Sequence, residues 1–232
     1  MNSLVSNNQQ PGTSLATLMK AAQRKAESER GKLVFGFDAT ASRSAMWQQA
    51  MALQREMFKA ARALEVQLAV YLGTDLRTSH WESEPEKLET LMQQITCIGG
   101  NTQIERLLQH VMDEHARGGK RGVNAFVFVG DAFEETARIN SVKALAKALG
   151  DLRITGFFFL DKESEPWHLA ENEQIYRELA KLTGGAYADF EPGAVAKLRD
   201  LLQSVAAFAA GGMAALAKRD SEGARLLLTQ MK

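Results

Sequence analysis

Runs of apolar residues with no polar face recur along this chain, separated by amphipathic stretches, and this alternation restricts the fold more than any other feature. "KLVFGFD", "VNAFVFVGD" and "RITGFFFLD" are apolar at odd and even positions alike. A strand of that kind is buried on both faces, which marks a parallel sheet covered by helices on each side. "EVQLAVYL" and "AYADF" read as further strands. Between the strands, apolar residues recur at helical spacing. Met46, Ala50, Leu53, Met57, Ala61 and Leu64 make one such face, and "EPEKLETLMQQI", "QIERLLQHVMDEHA", "SVKALAKALGD" and "ENEQIYRELAKLTGG" continue the pattern. Proline near the start of "PGAVAKLRDLLQSVAAFAA" and glycine just past other helix ends sit where helices favour them. "LRTSHWES", reached through a "GTD" turn, is expected to add a short strand beside "EVQLAVYL". The expected fold is a three-layer α/β/α, Rossmann-like sandwich, its sheet mostly parallel with one antiparallel edge strand.

Residues 1–30 read as a polar tail and a helix, with Leu15, Leu18, Met19 and Ala22 on one face. Residues 31–210 form the expected α/β domain, and residues 211–232 a helical extension after Gly211-Gly212. A chain of 232 residues is long enough for one sizeable core. Its 28 Lys and Arg balance its 28 Asp and Glu, and no basic block stands out. On those grounds neither nucleic acid nor an anionic membrane is an expected partner. The N-terminal residues lack an apolar signal core, and "SVAAFAAGGMAALA" is too short to span a bilayer. A lone cysteine, Cys97, cannot form an intramolecular disulfide, and a cytoplasmic location is expected.

The strand "LVFGFD" ends in Asp38-Ala-Thr40-Ala-Ser42, an alternation of polar and small residues. In extended chain a period of two places Asp38, Thr40 and Ser42 on one side. The loop "GGNT" brings Thr102 to the start of another helix, and the strand end "VGD" brings Asp131. In open α/β sheets ligands bind outside the carboxyl ends of the strands. Carboxylates and hydroxyls meeting there form an all-oxygen set, which suits Mg²⁺, Mn²⁺ or Ca²⁺ rather than Zn²⁺. Each residue also has an ordinary structural reading. Asp38, Thr40 and Ser42 could cap the following helix, and Thr102 with Glu105 spells a capping box. Asp161, at the end of a third strand, reads as a cap.

Taken together, Asp38-x-Thr40-x-Ser42, Thr102 after Gly99-Gly100, and Asp131 after a strand resemble the metal-ion-dependent adhesion site of von Willebrand factor A (VWA) domains. The resemblance covers about Lys32 to Ala210, and within the family it is similar to a bacterial cytosolic branch. Thr40 departs from the serine usual in the motif but keeps its hydroxyl. The resemblance implies that Thr40, Ser42 and Thr102 ligate a divalent cation, most simply Mg²⁺, with Asp38 and Asp131 binding directly or through water. It further implies that the ion accepts an Asp or Glu carboxylate from a protein partner, as in an intracellular adaptor or scaffold. Arg43, Asn101 and Glu134 are expected at the rim that meets this partner.

Binding rather than turnover is expected, because no proton-transfer residue is evident beside the site. A Mg²⁺-dependent phosphate hydrolase of the haloacid dehalogenase type is the enzymatic alternative, but its acid/base aspartate would stand at position 40, which is Thr40. No G-x-x-x-x-G-K-[ST] phosphate loop occurs. A component of a ribonucleoprotein particle is the third alternative. His80, His110, His115 and His168 have no metal-ligand spacing as a set.

Overall fold

The computed structural model describes residues 19, 30–38, 64–72, 75–94, 103–162, 168–190 and 195–231. A sheet of order β3-β2-β1-β4-β5-β6 runs through the middle. Its strands are β1 (Gly31–Asp38), β2 (Leu64–Leu72), β3 (Asp75–Thr78), β4 (Ala125–Gly130), β5 (Thr155–Asp161) and β6 (Ala186–Phe190). β2, β1, β4, β5 and β6 are parallel, and β3 pairs antiparallel with β2. The expected mostly parallel sheet with an antiparallel edge strand is what the chain forms. The "LRTSHWES" segment is strand over less of its length than its sequence allows. It breaks where the Ser79 hydroxyl accepts the Leu68 N–H at 3.0 Å, and it resumes as a single bridge between Val66 and Glu82.

The helices among the described residues are α1 (Pro85–Gln93), α2 (Ile104–Gly118), α3 (Ile139–Asp151), α4 (Leu169–Leu182), α5 (Val195–Ala217) and α6 (Glu222–Gln230). Side chains alternate across a strand, so each strand feeds two cores. Leu33, Phe35, Phe37, Val127, Val129, Phe157 and Phe159 point to one face, where Leu88, Met92, Leu201, Val205 and Leu227 of α1, α5 and α6 meet them. Val34, Phe126, Phe128, Phe158 and Leu160 point to the other, where Leu107, Val111, Val142, Tyr176 and Leu179 of α2, α3 and α4 cover them. This explains why the strands carry no polar face. On the second side the rings of Phe128 and Tyr176 meet edge to face with centroids 5.7 Å apart, geometry that adds roughly 0.5–1.5 kcal/mol to area burial. Gly36 lets α2 lie close: a Cβ there would stand 2.5 Å from Leu107.

α5 extends past the glycine pair to Ala217, but Gly211 and Gly212 leave helical geometry. Gly212 has φ 65° and ψ −161°, a region open essentially to glycine alone. Ala196–Ala217 has the length and composition of a membrane span, and Leu198, Leu201, Leu202, Val205, Ala206 and Ala209 within it are buried against the sheet. α6 then returns to β6. Gln230 accepts the Tyr187 N–H at 3.0 Å and donates to the Tyr187 carbonyl at 2.8 Å, satisfying backbone groups that an edge strand would otherwise expose.

Candidate functional site at the carboxyl ends of the strands

The strand order reverses between β1 and β4. From β1 the chain goes to β2 and β3 on one side, and from β4 it goes to β5 and β6 on the other. At such a switch point the connections diverge and leave a crevice beyond the strand ends. Asp38 is the last residue of β1, paired with Tyr71 of β2 and one step beyond the Phe37–Val129 pair. Asp131 directly follows β4 and is 5% exposed. Asp161 ends β5, one step beyond the Gly130–Leu160 pair, and is 2% exposed. Acidic residues therefore end each of the three central parallel strands.

The segment that carries Asp131 is held by α4. Asn172, 3% exposed, donates from Nδ2 to the Asp131 carbonyl at 3.3 Å and accepts the Phe133 N–H at 3.0 Å. The Tyr176 hydroxyl donates to the Ala132 carbonyl at 2.9 Å. Two side chains from one helix thus satisfy three backbone groups of a buried turn, which keeps the Asp131 backbone in place. Beyond it, the Glu135 carboxylate accepts the Glu105 N–H at 3.1 and 3.3 Å, capping the first turn of α2. Burial pushes the Glu135 carboxyl above its usual range, although the N–H groups of Glu105 and Ile104 pull it down. The Tyr71 hydroxyl ties β2 to the same turn, donating to the Gln103 carbonyl and accepting the Leu107 N–H.

Thr102 of the capping-box expectation lies outside the described residues. The Glu105 N–H is capped from 30 residues downstream by Glu135. The Glu105 carboxylate accepts the Ser141 hydroxyl at 2.5 Å and faces Arg138 Nε at 2.6 Å.

Of the expected ligands, Asp38 is placed by its backbone and Asp131 by backbone and side chain. Thr40, Ser42 and Thr102, with the rim residues Arg43 and Asn101, lie outside the described residues, as does Cys97. Glu134 is exposed beside Asp131. It lines a hollow of about 290 Å³ with Phe133, His168, Glu171, Asn172 and Ile175. Among the described residues no three His, Cys, Asp or Glu side chains cluster as a metal site. His110 and His115 instead make structural bonds, to Gln67 Oε1 at 2.8 Å and the Val123 carbonyl at 2.9 Å. The sequence does not single out Asn172 and Tyr176. Their role depends on which loop each helix meets, and no local pattern encodes that.

An open, mostly parallel sheet clad by helices on both faces, with acidic strand ends at its switch point, defines a doubly wound α/β protein. More narrowly, the chain has the von Willebrand factor A fold. It aligns with the SpRpn10 VWA domain at a TM-score of 0.56 and 10% identity, over 73% of this chain and 95% of that one. It aligns with manganese-loaded TRAP protein of Plasmodium vivax at a TM-score of 0.52 and 14% identity, over 73% and 72%. The pilus adhesin SpaC of Lactobacillus rhamnosus GG gives a TM-score of 0.62 at 8% identity, over 78% of this chain but only 30% of the adhesin. No family model matches the sequence, and no protein of curated function matches it.

Proposed function

We propose that this chain is a metal-dependent protein-binding module, an intracellular adaptor or scaffold that captures a carboxylate of its partner. The observation that carries the proposal is the placement of Asp38 and the buried Asp131 on the two strands that flank the switch point. A carboxylate buried at a strand end needs positive charge or donors facing it. Its oxygens suit a hard divalent cation such as Mg²⁺ or Mn²⁺. Asp38, Thr40, Ser42, Thr102 and Asp131 would hold the ion, which when bound supplies a Lewis-acidic position for an incoming Asp or Glu side chain. Asn172 and Tyr176 hold the Asp131 turn, and Glu135 joins that turn to the helix after Thr102. Arg43, Asn101 and Glu134 would meet the partner around the ion. The likeness to a pilus adhesin and to a manganese-loaded protein supports this reading.

Calorimetric titration tests it. Wild type is expected to bind Mg²⁺ or Mn²⁺, and Asp38→Ala and Asp131→Ala to lose that binding while remaining folded. Failure of wild type to bind either ion, or unchanged binding in Asp38→Ala, overturns the proposal. A pull-down from cell extract is expected to recover a partner that EDTA releases.

A further inference from the structure

At the opposite end of the sheet lies a cleft of about 410 Å³. Arg30 and Gly31 at the start of β1, Lys120 to Gly122 after α2, Asn124 before β4, Arg153 after α3, and the Gly211-Gly212 break of α5 line it. Four cationic side chains thus come from three separated segments, and among the described residues lining the cleft none is acidic. Arg121 also pairs with Glu65 at 2.8 Å, while Arg30, Lys120 and Arg153 make no ion pair among the described residues. Asn124 Oδ1 accepts the Lys32 N–H at 2.7 Å, so its donor NH₂ is what remains for a ligand. The polar side chains of the cleft are therefore donors.

Arg153 adds a second observation. Its φ of 61° makes it the one described non-glycine residue in the left-handed region. It ends α3 with N–H bonds from Arg153 to the Gly150 carbonyl and from Ile154 to the Leu149 carbonyl, both 2.9 Å. Glycine is the favoured residue at such a helix end. The chain carries a strained arginine there, on the rim of a cleft already rich in positive charge.

We propose that this cleft binds an oligophosphate anion, free or as the phosphate chain of a nucleotide. Clustered cations in a concave site focus positive potential and attract anions. Guanidinium groups pair with phosphate oxygens in bidentate fashion, and Lys120 adds a point charge. The volume suits a small molecule rather than a polymer. Lys120, Arg121 and Arg153 also follow the C-termini of α2 and α3, where cations complement the helix dipole. That effect accounts for each residue singly but not for Arg30, nor for their convergence on one cleft. The site is independent of the metal reading, since it lies at the other end of the strands.

The test is calorimetric titration of the full chain in EDTA buffer with pyrophosphate, ATP, AMP and orthophosphate, and with poly(U) as a polymer control. Pyrophosphate or ATP is expected to bind more tightly than orthophosphate, and more weakly as salt rises. Arg153→Gly and Lys120→Ala are each expected to weaken binding about tenfold, the equivalent of one charge-assisted contact. Arg153→Gly also relieves the backbone, so its Tm should hold or rise by about 2–4 °C, which separates lost binding from lost folding. Equal affinity for pyrophosphate and ATP assigns recognition to the phosphates alone; tighter ATP adds the nucleoside. No oligophosphate binding at millimolar ligand overturns the proposal. So does binding unchanged in both variants, which leaves only helix-dipole partners, and so does binding of poly(U) alone.

Discussion

A single buried amide shows how much the candidate metal site depends on groups that touch no metal. Asn172 bonds both the Phe133 N–H and the Asp131 carbonyl. Asn172→Ala would leave both buried backbone groups without that partner, at a cost of about 1–3 kcal/mol. Urea denaturation should show this as a lower midpoint at constant slope. If the turn positions the Asp131 carboxylate as proposed, metal affinity should also fall, by roughly 10–100-fold as for outer-shell partners generally. A loss of stability with undiminished affinity would mean that the turn folds correctly without the clamp. Arg153 illustrates the opposite case, in which a residue keeps an unfavourable backbone geometry that costs on the order of 1 kcal/mol.

Among the elements, α6 is joined to the body by polar contacts as well as by Leu227. Asp200 of α5 accepts the Gly223 N–H at 2.6 Å and faces Arg219 at 3.3 Å. Burial raises its carboxyl, but the Ser221 hydroxyl, the Gly223 N–H and Arg219 outweigh that and hold it below its usual value. A carboxyl depressed in the folded state stabilises above its unfolded value of about 4. That contribution disappears as pH falls through the lower folded value. Thermal melts should therefore lose stability on the acid side of pH 4, and Asp200→Asn should flatten that part of the profile while lowering stability at neutral pH. At the edge of the sheet, Gln230→Ala removes both bonds to the Tyr187 backbone. The expected cost is about 1 kcal/mol, with faster hydrogen exchange at the Tyr187 amide as the direct readout. An exchange rate equal to wild type would show that α6 shields the edge by packing alone.

For the molecule as a whole, a chain of zero net charge is strongly patterned in space. Aspartates stand at the carboxyl ends of β1, β4 and β5, and Arg30, Lys120, Arg121 and Arg153 gather at the opposite end of the sheet. β1 has eight residues, about 26 Å at 3.3 Å per residue, so the two candidate sites are well separated. Binding to the folded state alone stabilises it by mass action, about 2.7 kcal/mol at a hundredfold excess over Kd. Saturating Mg²⁺ or Mn²⁺ should thus raise Tm by about 5–10 °C, and EDTA should reverse the shift. An unchanged Tm across that range would remove the support for a resident cation.

Taken alone, the sequence determined the layer architecture. Leu33 to Phe37, Phe126 to Val129 and Phe157 to Leu160 are apolar on both sides because helices cover both sides, and that is written in consecutive residues. It also marked the acidic ends of β1, β4 and β5, since each strand carries its own aspartate. Only the tertiary structure decided that Asn172 and Tyr176 would clamp the Asp131 turn, that Glu135 would reach the first turn of α2 from 30 residues away, and that Arg30, Lys120, Arg121 and Arg153 would share a cleft. Hydrophobic periodicity is a local property and can be read along the chain. Hydrogen-bond partners and electric fields depend on which distant segments the packed sheet brings within a few ångströms, and no short stretch of sequence holds that information.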